Sequence, residues 1–118
     1  MVIRTIKLTS LFVNTENYRF EPLSSQKEAI DKMVEDQGDK LYSLVDDIVT
    51  NGLSPVDLII VTPNEDNSKY IVLEGNRRIT SLKLLNNPTL VDDKYVSLRK
   101  KFQKLQKENP NAISELKN

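Results

Sequence analysis

The spacing of hydrophobic and polar positions predicts most of the elements of this chain. Ile3 to Leu8 is short and rich in β-formers, and reads as an edge or entry strand. Thr9 to Pro22 has no helical period and carries Asn14, Asn17, Tyr18, Arg19 and Pro22, so it reads as an ordered loop. Ser25-Gln26-Lys27-Glu28 has capping-box spacing and opens a run with Ala29, Ile30, Met33 and Val34 at helical intervals. That spacing predicts a helix to about Gln37, ended by Gly38. Leu41, Leu44, Val45, Ile48 and Val49 then mark a second amphipathic helix, with Asp39 placed to cap it and Asn51-Gly52 placed to end it.

Two strands follow, over 57–62 and 69–73, joined by the polar turn Pro63 to Ser68. Leu58 to Val61 is apolar at consecutive positions, the pattern of a strand covered on both faces. The second strand runs into Glu74-Gly75-Asn76-Arg77-Arg78, after which Ile79, Leu82 and Leu85 mark a helix ending at Asn86-Asn87-Pro88. Beyond Asp92-Asp93, which can cap, Tyr95, Leu98, Phe102 and Leu105 predict a last helix to about Glu108, broken by Asn109-Pro110.

Composition narrows the chemistry. The 118 residues hold no Cys and no His, which excludes thiol catalysis, disulfides, and zinc or acid–base sites built on those residues. Carboxylates, Lys, Arg and hydroxyls must carry any chemistry. MVIRTIKLTS lacks the apolar region of a signal peptide, and no run reaches a membrane-spanning length, so the expected partners exclude a membrane and the expected location is the cytoplasm. Seventeen basic residues balance 17 acidic ones, which argues against a bulk polycation. The balance hides a division: residues 1–93 hold 10 basic and 15 acidic residues, a net −5, and residues 94–118 hold 7 and 2, a net +5.

The segment Glu74 to Arg78 is the best candidate for function. Gly75 can take positive φ, and the first N–H groups of the following helix point into the turn, as at an anion site. Arg77 and Arg78 stand at the positive end of that helix, where the macrodipole opposes each by roughly 0.3–1 kcal/mol. A phosphate held between the amides and the guanidinium groups reverses the sign of that effect. The alternative is that both arginines pair with Glu74, Asp46, Asp47 or Asp57 and tie elements together.

Ile71 to Leu85, with Glu74-Gly75-Asn76-Arg77-Arg78 at its centre, resembles the arginine-rich box Gly-Glu-Arg-Arg-x-x-Ala of the ParB/sulfiredoxin-like N-terminal domain. Asn14 to Arg19 is similar to that family's early Asn-Pro-x-x-Pro-Arg loop. The helix ending at Asn51-Gly52-Leu53 and the strand Leu58 to Val61 after Pro55 follow in the family's order. The resemblance covers about residues 3–91. It implies a small α/β (α+β) domain over residues 1–91, a mixed sheet with packed helices, followed by a basic helical extension over 92–118. It also implies a nucleotide ligand, CTP in the chromosome-partitioning members, bound and hydrolysed with Mg²⁺. Carried over by position, Gly75, Asn76, Arg77, Arg78 and Thr80 form the phosphate site and Arg19 the early-loop arginine. Asn76 replaces the family's Glu, Thr80 a frequent Arg, and Ser81 an Ala. The missing cysteine excludes the sulfiredoxin chemistry, and no helix-turn-helix is visible in 94–118.

Glu74-Gly75-Asn76-Arg77-Arg78 is also similar to the Asp-Gly-Gln-Gln-Arg signature of related restriction and phage-defence domains. That likeness implies a Mg²⁺-dependent nuclease or nucleotide hydrolase in which Glu74 ligates the metal or serves as general base. A third reading rests on the basic helix. Arg99, Lys100, Lys101 and Lys104 would contact DNA or an acidic protein surface, or its apolar seam would meet a second copy or a further domain of a longer protein.

Overall fold

The computed structural model describes residues 4–14, 25–53, 58–110 and 115–117. Strand β1 (Thr5–Lys7) buries Ile6 between two exposed neighbours. It pairs antiparallel with the C-terminal strand Glu115–Lys117, in the register Ile6 to Leu116. A 3₁₀ turn, Leu8–Ser10, leads into β2 (Leu11–Phe12), which pairs in parallel with the strand Tyr70–Glu74. The expected loop from Thr9 therefore begins with a turn and a strand. A two-residue strand shows no period of its own and exists only through its partner.

Helix α1 (Ser25–Asn51) joins the two helices that the spacing predicts. The backbone breaks helical geometry at Gln37 (φ −141°, ψ 24°), so the first helical segment ends where the spacing predicts and the second follows directly from it. Gly38 does not take positive φ. A Cβ on it would stand 2.8 Å from Leu98 Cδ2, so the glycine admits close packing, and Asp39 lies inside the helix instead of capping one. Ile30, Val34, Leu41, Val45 and Ile48 form the buried stripe. Gly52 (φ 77°) donates its N–H to Ile48 O at 2.7 Å and closes the end as expected. The side chain of Ser25, on which the expected capping box rests, lies outside the described residues.

Strands β3 (Ile60–Pro63) and β4 (Tyr70–Glu74) form the expected hairpin, with Val61 opposite Val72 and Thr62 opposite Ile71. Its turn is closed by Asn64 N–H to Lys69 O (3.0 Å) and by Asp66 Oδ1, which accepts from Ser68 N–H at 2.9 Å. The sheet order β2-β4-β3 puts β4 at the centre and β3 at an edge. The expectation that Leu58 to Val61 is covered on both faces is corrected: Ile60 is 48% exposed, while Ile71 and Val72 of β4 are buried. Consecutive apolar residues mark a fully covered strand only when neighbours flank it on both sides.

Helix α2 (Asn76–Asn86) buries Ile79, Leu82, Leu84 and Leu85. A 3₁₀ turn (Pro88–Leu90) leads to α3 (Val96–Glu108), which buries Leu98, Phe102 and Leu105. Phe102 meets the Tyr42 ring edge-on, with centroids 5.6 Å apart. Asp92 does not cap α3; its Oδ1 accepts the Lys94 N–H at 3.0 Å, and Tyr95 occupies the cap position. With β5 (Glu115–Lys117) paired to β1, residues beyond 92 contribute to the same core as the acidic body. The architecture is α+β, a small mixed sheet with packed helices, as expected. Among the described residues no helix is long and apolar enough to cross a membrane.

Candidate functional site at the start of helix α2

Central strand β4 delivers the chain to Gly75, whose left-handed conformation (φ 102°, ψ 16°) turns it directly into α2. A side chain is excluded here twice over. The conformation disfavours L-residues, and a Cβ would meet Ile59 Cγ2 at 2.8 Å. The first intrahelical bond of α2 runs from Ile79 N–H to Gly75 O (2.9 Å), so the amides of Asn76, Arg77 and Arg78 precede the helical ladder. The helix has no side-chain cap and no acidic residue in its first turn.

Asn76 faces back into the fold. Its Nδ2 donates to Val72 O at 3.1 Å, and its Oδ1 accepts the Asn14 N–H at 2.8 Å. The segment before Asn14 is held in turn by Gln26. The Gln26 side chain accepts from Val13 N–H and donates to Val13 O, both at 2.7 Å, as a neighbouring strand would. Two amide side chains thus draw the end of the β2 segment onto the turn. Asn14 Oδ1 and Thr80 Oγ1 are buried without a hydrogen-bond partner.

Arg77 is exposed, and its Nη1 donates to Gln37 Oε1 at the α1 kink (3.4 Å). Arg78 lies half-buried over the turn, with Nη1 3.6 Å from the position a Gly75 Cβ would take. Glu74 is exposed and pairs with neither arginine, and Asp46 and Asp47 make no ion pair with them among the described residues. Arg19 and Asp57 lie outside the described residues. Thr80 and Ser81 are fully buried, and Ser81 Oγ donates to Arg77 O at 2.8 Å. The solvent-facing part of the site is therefore Glu74 and Arg77, with half-buried Arg78 beside Gly75. Among the described residues no group of three or more acidic side chains could hold a metal ion.

The basic helix presents its cations unevenly. Arg99 Nη2 donates to Thr89 O at 3.0 Å and anchors the turn before α3. Lys101 Nζ lies 3.9 Å from Asp39 Oδ1 and 5.4 Å from the centre of the Tyr42 ring. Lys104 Nζ lies 4.0 Å from Glu108 Oε1, and Lys100 is exposed with no carboxylate within ion-pair distance among the described residues. A surface cavity of about 400 Å³ opens at the α1 kink, lined by Gln37, Asp39, Tyr95 and Leu98 among others. Sequence reasoning missed Gln26 and Gln37 as supports of the site, because neither carries a motif and both act across long sequence separations. No family model, curated protein or solved structure matches this chain.

Proposed function

We propose that this chain is a nucleotide-binding domain of ParB-like type, which holds the phosphates of a nucleoside triphosphate at the Gly75 turn and acts as a switch or scaffold in a DNA-associated system. The observation that carries the reading is the left-handed Gly75 between β4 and α2, with Arg78 folded over it and three amides ahead of the helical ladder. Backbone donors and a planar guanidinium suit a phosphate better than a carboxylate, because a phosphate offers more acceptor oxygens to them. Among the described residues Glu74 belongs to no group of three or more carboxylates, so Mg²⁺ in this reading is held chiefly by the triphosphate oxygens.

Titration calorimetry with CTP, ATP and GTP in the presence of Mg²⁺ tests the proposal. At least one nucleotide binds, and Arg78→Ala weakens it roughly tenfold to a hundredfold, the loss of one charge-assisted contact. Absence of binding at millimolar nucleotide, or full affinity in Arg78→Ala, overturns it. A second reading, DNA contact through α3, is favoured by the exposure of Lys100 with no carboxylate partner among the described residues. It predicts steeply salt-dependent DNA affinity that is lost on reversing Lys100, Lys101 and Lys104.

A further inference from the structure

Away from the Gly75 turn, two lysines from different elements converge on the 3₁₀ turn between β1 and β2. Lys83, in the last turn of α2, directs Nζ to Leu8 O at 3.3 Å. Lys69, just before β4, directs Nζ to Thr9 O at 3.4 Å. The two accepting carbonyls belong to consecutive residues, so the two ammonium groups are brought to one place by the fold. Neither lysine has a carboxylate within ion-pair distance among the described residues. Lys83 is partly buried, whereas Lys100 and Lys104 on α3 are exposed.

We propose that Lys83 is a reactive amine, acylated ahead of the exposed lysines by small anionic acyl donors of the acyl phosphate class, which the Lys69 ammonium draws to it. Burial first, and then the positive charge of Lys69, hold the Lys83 ammonium below its ordinary pKa and enlarge the fraction of neutral, nucleophilic amine. The neutral Nζ attacks the carbonyl carbon and the N–C bond forms. The bond from that carbon to the phosphate oxygen breaks, phosphate leaves with the electron pair, and the proton shed by nitrogen passes to solvent. The product is a neutral amide that keeps one N–H to offer Leu8 O and no longer repels Lys69.

The experiment treats the folded full chain with acetyl phosphate at mildly alkaline pH and follows each lysine by mass spectrometry. Lys83 is acetylated several-fold faster than Lys100, and the two rates converge when the chain is unfolded in urea. Lys69→Gln, checked for an unchanged melting curve, lowers the Lys83 rate several-fold and leaves Lys100 unchanged. On the unsubstituted chain, the preference for Lys83 is larger with acetyl phosphate than with uncharged acetic anhydride, which reads the role of Lys69 without any variant. A Lys83 rate in the folded chain equal to or below that of Lys100 overturns the proposal, since shielding by the fold then outweighs activation. Equal preferences with the two reagents overturn the part given to Lys69.

Discussion

Asn76 Oδ1 accepts the N–H of Asn14 at 2.8 Å, across 62 positions of sequence, while its Nδ2 donates to Val72 O on the preceding strand. One side chain thereby joins the start of α2 to the end of the β2 segment. Asn76→Ala removes the acceptor of the Asn14 N–H and a donor to Val72 O, and lowers stability by about 1–3 kcal/mol. Asn76→Asp keeps the acceptor for Asn14 but sets an oxygen against Val72 O, so it also destabilises. Asn76→Gln keeps both chemical groups on a longer stem and measures how far geometry matters. Urea unfolding of the three variants checks the order.

Gly75 and Gly52 both take positive φ, yet only Gly75 has a neighbour in the way. Gly52→Ala meets nothing within 4 Å, so its cost is the backbone term of about 1 kcal/mol. Gly75→Ala adds the contact with Ile59 Cγ2 at 2.8 Å, and its loss exceeds that of Gly52→Ala by about 1–3 kcal/mol as the core shifts. Thermal unfolding of the pair separates the backbone term from the steric one. Equal losses would show that Ile59 yields freely.

Phe102 is fully buried at the centre of α3 and packs edge-on against Tyr42 of α1. Phe102→Ala costs about 3–5 kcal/mol, the range for removing a buried aromatic ring. Leu105→Ala, on the same seam, costs about 2–5 kcal/mol. Substituting exposed Lys104 with Ala changes stability by less than about 0.5 kcal/mol. Denaturant midpoints that show this contrast place α3 within the cooperative unit. A near-neutral Phe102→Ala would remove it from that unit.

Lys83 carries the clearest pH dependence of stability. Its folded pKa is lowered, mainly by burial and secondarily by Lys69, from the ordinary 10.5. The unfolded chain therefore binds the proton more tightly, and stability rises with pH between the lowered value and 10.5. Below that window the protonated amine opposes folding in full. Lys83→Met is accordingly expected to stabilise the chain at neutral pH, with the gain shrinking as pH climbs through the window. Urea midpoints of both forms over this range check the sign, and a gain that grows with pH would contradict it.

The helical segments and the Gly75 turn were legible in the linear sequence because their signals are local. Leu41, Val45 and Ile48 repeat at the period of a helix within a few residues of one another. Gly75 between a β-rich run and an amphipathic run marks a sharp turn whatever surrounds it. Tertiary structure decided everything that depends on a distant partner. Glu115–Lys117 has no periodic signal and becomes a strand because Ile6 stands opposite Leu116. The break at Gln37 falls where the spacing ends the first helix, but the close approach of Leu98 that makes Gly38 fit there comes only from the packing of α3. In the same way Gln26, Gln37 and Lys69 have ordinary local contexts and gain their roles from Val13, Arg77 and the Leu8–Thr9 turn. Local spacing records preferences that a short segment satisfies by itself. A hydrogen bond or a close approach between remote segments gains its free energy only once the core has brought them together, and a one-dimensional pattern does not contain that term.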